Sequence, residues 1–172
     1  MTKVVYKLFV DFEKEEAWLN SMASKGWNLT SYTPLRYKFA KGTPNTYTYR
    51  IEMLESIPGT KACDEYIKFM EDAGVEHIQN YFGWAFFRMK TNGEEFEIYS
   101  DVESKLNHLK RVSTLINVAT GLNYLVALLN TLLTIFIDNH NFEPIVLVNL
   151  TIAILLTPTC ISYRKKLKEI IS

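Results

Sequence analysis

The chain has 172 residues, 19 Lys+Arg against 19 Asp+Glu, and 48% apolar residues. A formal charge of zero excludes the strongly basic surface that would recommend nucleic acid as a partner. That balance hides an asymmetry: residues 1–111 hold 15 basic and 16 acidic side chains, and residues 112–172 only 4 and 3. The first part has the composition of a water-facing α+β domain, and the second that of a membrane segment.

In chain order, Val4 to Val10 reads as an opening strand, and Asp11 is a good N-cap for a helix from Phe12 to Lys25 that closes at Gly26. Trp18, Leu19 and Met22 form its apolar stripe. The helical stretch from Ala62 to Gly74 repeats the arrangement with Tyr66, Ile67, Phe69 and Met70, so that Trp18, Met22 and Gly26 match Tyr66, Met70 and Gly74 at a constant offset of 48. After each glycine come three extended runs. The first set is Trp27-Asn28-Leu29, Tyr37-Lys38-Phe39 and Tyr47 to Ile51; the second is Val75 to Ile78, Trp84 to Phe87 and Phe96 to Tyr99. Gly42 and Gly93 mark turns between the second and third runs. Period-two alternation of this kind marks strands with a buried face. The expectation is a duplicated β-α-β-β-β-α-β-β-β domain over residues 1–101, an antiparallel sheet with two helices on one face; whether the repeats share one sheet or form two stays open.

A short helical linker, 102–111, leads into two uncharged stretches, 112–137 and 144–163, each as long as the roughly 20 residues needed to cross a bilayer. The turn 138–143 between them permits only an antiparallel hairpin, and Pro144 suits a helix start. Lys105, Lys110 and Arg111 precede the first stretch, and a basic tail, 164–172, with Arg164, Lys165, Lys166 and Lys168 follows the second; the turn carries Asp138 and Glu143 but no Lys or Arg. The positive-inside bias therefore predicts both termini in the cytoplasm, with the lipid bilayer as a partner. No signal-peptide pattern opens the chain. Asn117, Asn123, Asn130 and Asn149 are expected to hydrogen-bond across helix interfaces, within the hairpin or between protomers. Neither span contains an ionisable residue of the kind that marks a proton relay.

Pieces such as Asp11 to Leu19, Gly26-Trp27, Tyr37 to Gly42, Tyr47 to Arg50, Glu71 to Gly74, Gly83 to Arg88 and Ile98 to Asp101 resemble a bacterial, mostly Firmicute, domain of unknown function often found beside PadR-like transcriptional regulators. The resemblance covers about residues 3–110. It implies the architecture, a hydrophobic C-terminal tail and the bacterial cytoplasmic membrane as location. It brings no activity and no catalytic residues.

The residues themselves point away from an enzyme. His77, His108 and His140 fall in the second repeat, the linker and the outer turn, and so form no common site. Cys63 near a helix start could be reactive through the dipole or simply buried. No phosphate loop, dinucleotide fingerprint, HExxH or CxxC pair is present, so no cofactor or metal is expected. Phe39, Tyr47, Tyr49, Phe87 and Tyr99, with Arg50 and Arg88 between them, suggest either core packing or an aromatic surface for a ligand or partner. The expected function is a non-catalytic, membrane-anchored sensor or adaptor that binds a protein or amphipathic ligand. The alternative is an accessory or immunity-type subunit of a membrane complex, working through the Asn-rich hairpin. Partners are expected to be a membrane or cytoplasmic protein or a second copy of the chain.

Overall fold

Alternating apolar residues and well-capped amphipathic segments build the first hundred residues, as a computed structural model of the chain describes them. It covers residues 1–91, 96–99, 101–137 and 143–171. The expected Gly93 turn, and the outer turn up to Phe142 with His140, lie outside the described residues. The elements are β1 (Thr2–Tyr6), α1 (Phe12–Ser24), β2 (Trp27–Thr33), β3 (Arg36–Lys41), β4 (Tyr47–Met53), α2 (Lys61–Asp72), β5 (Glu76–Tyr81), β6 (Trp84–Lys90), α3 (Val102–Ile137) and α4 (Glu143–Ile171). The chain divides into two units, Met1–Ser100 and Asp101–Ser172.

Unit 1 contains two antiparallel three-stranded sheets, ordered β1-β3-β2 and β4-β6-β5. In each, the third strand of the series inserts between the first and second, and a bulge interrupts the middle of the second: between Leu29 and Ser31 in one sheet, and between His77 and Gln79 in the other. Asp11 caps α1 by accepting the Glu13 N–H, and Thr60 caps α2 by accepting the Cys63 N–H. Gly26 follows α1 at φ +76°, and an added Cβ would lie 2.6 Å from the Gly42 carbonyl oxygen. Only glycine permits that close approach, in which Gly42 N–H donates to Gly26 O at 2.9 Å.

Both faces of the second sheet are buried. Tyr49, Ile51 and Phe86 join Leu19, Met22, Leu29, Tyr37 and Phe39 in one core, while Ala85 and Phe87 join Cys63, Met70, Val75 and Phe96 in another. Neighbouring residues of β6 therefore serve opposite cores, as the pleat requires. This corrects the expectation of two helices on one face of a sheet: α1 belongs to the first core and α2 to the second. The expected last strand is also absent. Phe96 to Tyr99 forms no ladder; it docks through buried Phe96, the Glu97–Arg50 ion pair at 3.1 Å and the Tyr99 hydroxyl.

Unit 2 is a pair of helices, with the expected linker continuous with the first apolar stretch in α3 and the basic tail continuous with α4. The pair is antiparallel: Asn117 meets Arg164, Thr120 meets Cys160 and Tyr124 meets Thr157, so numbers fall along α4 as they rise along α3. Both helices are long and apolar enough to cross a membrane, and only 11% of the most apolar stretch of each is buried. A core helix of a water-soluble protein would be mostly buried.

Candidate functional site

Of the two readings of the aromatic set, core packing holds for three of its five rings. Phe39 and Phe87 are 0% exposed and Tyr49 is 1% exposed, while Tyr47 and Tyr99 are half-buried. The first three rings belong to the two cores and are closed to a partner. Arg88 binds Glu76 at 2.7 Å, donates to Leu29 O at 3.2 Å and lies 4.2 Å from the centre of the Tyr47 ring. Arg50 pairs with Glu16 and Glu97. These cations act within the fold.

Their task is visible at the sheet edges. A terminal strand carries backbone N–H and C=O groups with no ladder partner, and burying them unpaired is costly. At the outer edge of β2, Leu29 N–H donates to the Tyr49 hydroxyl at 2.9 Å, and its carbonyl accepts from Arg88. Three residues on, the Gln79 amide takes both backbone groups of Tyr32, accepting from its N–H at 2.7 Å and donating to its carbonyl. At the outer edge of β4, Asn20 of α1 does the same for Tyr49, at 2.7 and 3.1 Å, and Glu16 accepts from Ile51 N–H at 3.0 Å. Side-chain amides here imitate a neighbouring strand. Sequence alone gives little sign of this, because Asn20 and Gln79 read as ordinary polar positions.

Two carboxylates are buried against phenols. Glu15 accepts from the Tyr37 hydroxyl at 2.6 Å; Glu52 accepts from Tyr66 at 2.6 Å and Tyr99 at 2.7 Å. Burial raises the Glu15 carboxyl above the ordinary carboxylate range despite the Tyr37 bond, and raises Glu16 despite its Ile51 bond and Arg50. The Tyr37 phenol is pushed far upward by burial and by Glu15. Cys63 is buried at 1% exposure, and His77 contacts Asn80 at 2.8 Å and rests against Phe87. Among the described residues no cluster of three or more His, Cys, Asp or Glu could hold a metal.

An exposed apolar surface does exist, at the tips of the β2–β3 and β5–β6 hairpins. Leu35 has φ +66° and is 47% exposed; Phe82 has φ +45° and is 86% exposed. Pro34-Leu35 follows the type II pattern, and Phe82-Gly83, both at positive φ, follows type I′; both turns ordinarily put Gly or Asn where Leu35 and Phe82 stand. The tips share one end of unit 1. Tyr32 and Tyr81, flanking them, have ring centres 5.6 Å apart, and Tyr81 meets Phe82 at 4.8 Å. Tyr6 pairs with Arg36 at the same end, and Lys7 N–H donates to Leu35 O at 2.8 Å, bringing exposed Tyr6 (73%) and Leu8 (71%) alongside.

In unit 2 only Asn117 of the four expected asparagines bonds across the hairpin, accepting from Arg164 at 3.0 and 3.2 Å. Asn123, Asn130 and Asn149 donate back to the carbonyls of Ala119, Val126 and Ile145, four residues earlier in their own helices. Thr120–Cys160 and Tyr124–Thr157, each at 3.1 Å, also cross the hairpin.

A family model matches residues 11–120, from the α1 cap through unit 1 into α3. The chain belongs to DUF2812, a family described as a protein of unknown function. The DUF2812 match includes the β2–β3 and β5–β6 tips and the beginning of the apolar segment of α3. No curated protein and no solved structure matches the chain.

Proposed function

We propose that this DUF2812 chain is a membrane-anchored, non-catalytic binding module: α3 and α4 span the bilayer, and unit 1 works in the cytoplasm as a sensor or adaptor for a protein or amphipathic ligand. The observation that carries the reading is the pair of exposed apolar residues, Leu35 and Phe82, held in a backbone conformation that costs energy. Such strain in bulky residues that gain nothing from burial points to use by something outside the fold. For the anchor, the support is the exposed apolar length of both helices. Orientation follows from charge: antiparallel pairing brings Arg164 level with Asn117, so the basic clusters at 105–111 and 164–168 lie at one end of the hairpin, as the positive-inside rule favours for a cytoplasmic face.

We also infer that unit 1 arose by duplication of a β-α-β-β element. Identical strand order, bulges 48 residues apart and left-handed glycines at 26 and 74 support it. The hairpin-based alternative rests on Asn117, which accepts from Arg164 across the pair, while Asn123, Asn130 and Asn149 each spend one amide N–H within their own helix.

Photo-cross-linking tests the binding reading in living cells. A benzophenone side chain at position 82 should form an adduct that one at Thr43, in the β3–β4 connection, does not. Equal yields at both positions would reject the tips as a contact surface.

A further inference from the structure

The tips raise the question of what covers them. The first sheet, spanning 2–6, 27–33 and 36–41, carries Lys3, Arg36, Lys38 and Lys41 and no Asp or Glu. Lys3 and Lys41 both lie over the Trp27 ring, at 5.4 and 4.8 Å. Arg36 and Lys38 face away from the core instead, opposite Tyr6 and Val4 across the β1–β3 ladder, and all four are exposed. The outer face next to the tips is therefore apolar and cationic at once. Glu55, just beyond the Leu54–Gly83 hydrogen bond, is the exposed acid close to the second tip.

The chain leaves unit 1 at Ser100 and enters α3 at Val102. Ten helical residues, 102–111, lie between that point and the uncharged stretch and measure about 15 Å at 1.5 Å per residue. A domain tethered so closely meets the bilayer at high effective concentration, so even a weak interfacial surface stays engaged. Tyr, Leu and Phe beside Lys and Arg are the side chains that settle at the headgroup boundary.

We propose that the β2–β3 and β5–β6 tips dip Leu35 and Phe82 into the interfacial layer of the membrane, with Tyr6 and Leu8 beside them and Arg36 and Lys38 against anionic lipid headgroups. The proposal rests on the reading that α3 and α4 span the bilayer, and makes phospholipid the amphipathic partner of unit 1. It also accounts for the strained turns: Asn in either place would relax the backbone but would not enter lipid.

The test uses the full chain in vesicles of phosphatidylcholine with one third phosphatidylglycerol, carrying a nitroxide at one of four positions. Leu35→Cys and Phe82→Cys report the tips, Thr43→Cys the far end of the first sheet, and Leu129→Cys the apolar length of α3. Buried Cys63 and Cys160 are controlled by wild-type protein treated with the same label. Collision with oxygen should exceed collision with a water-soluble nickel chelate severalfold at 35, 82 and 129, and the order should reverse at 43. Labels at 35 and 82 that behave like the one at 43, while 129 reads lipid, would overturn the inference and leave the anchor standing. Labels at 35 and 82 frozen and shielded from both reagents would mean a protein cover and overturn it equally. A label at 129 that reads water would remove the anchor itself. Leu35→Asn with Phe82→Asn gives an independent check: unit 1 should keep its melting midpoint, while a nitroxide on Tyr81→Cys loses its oxygen preference. Retained preference would show that the tip side chains do not hold the surface to lipid.

Discussion

Asparagine and glutamine behave in opposite ways in the two units. In unit 1, Asn20 and Gln79 reach across to other elements and pair with the backbone of Tyr49 and Tyr32. In unit 2, Asn123, Asn130 and Asn149 return to carbonyls of their own helices. The difference follows from what each backbone leaves unsatisfied. A three-stranded sheet exposes two edges, and where an edge is buried, side chains must complete its hydrogen bonds. A long helix satisfies its own backbone, which is the condition for entering lipid. Unit 1 therefore depends on polar bonds between elements, and unit 2 on apolar length.

Removing cross-element bonds should unfold unit 1 in graded steps. All three tryptophans, Trp18, Trp27 and Trp84, lie in unit 1, so their fluorescence during denaturation in mild detergent follows that unit alone. The largest effect is expected from Glu52→Ala, which leaves two phenols without their acceptor and a void beside them: about 3 kcal/mol of lost stability. Glu52→Gln should recover part of it. Asn20→Leu strips the β4 edge at Tyr49 and should cost about 2 kcal/mol, since Arg50 still donates to the Tyr49 carbonyl. Tyr49→Phe, which takes the acceptor from Leu29 N–H and a contact from Arg88, itself still bound to Glu76 and Leu29 O, should cost about 1 kcal/mol. By contrast, Asn130→Leu in α3 should shift helix-pair stability, read by circular dichroism, by no more than about 0.5 kcal/mol. A cost there as large as that of Asn20→Leu would break the comparison.

The buried carboxyl of Glu15 adds a pH signature. Its folded value lies above the unfolded value of 4.5, so the folded state holds the proton more tightly. Its contribution to stability is present below 4.5 and is lost as pH rises through the folded value. Unit 1 should gain stability on mild acidification from neutral pH, and Glu15→Gln, which can still accept from Tyr37, should flatten that dependence without unfolding the domain. An unchanged slope in this variant would assign the effect to Glu16.

Much of this organisation was legible in the residues. Asp11 and Gly26 mark the ends of α1, and two uncharged stretches fall within α3 and α4. Phe96 to Tyr99 misled because alternation records which side chains are buried and is silent about ladder bonds. The choice between core and surface for the aromatic strands could not be made from sequence, because one sheet under two helices would have a spare face, whereas the second sheet here is covered on both. Leu35 and Phe82 carry a faint signal, in Pro-Leu and Phe-Gly, turn pairs whose bulky member occupies a glycine-favouring place. Edge capping by Asn20 and Gln79 depends on contacts 29 and 47 residues apart, for which local pattern holds no information.

The central claim, that α3 and α4 span the bilayer and anchor unit 1 to it, is tested most directly by alkaline carbonate extraction of membranes carrying the full chain. The account predicts that the chain stays with the membrane pellet. Release into the supernatant would contradict it, leaving an apolar helix pair that adheres to membranes without crossing them.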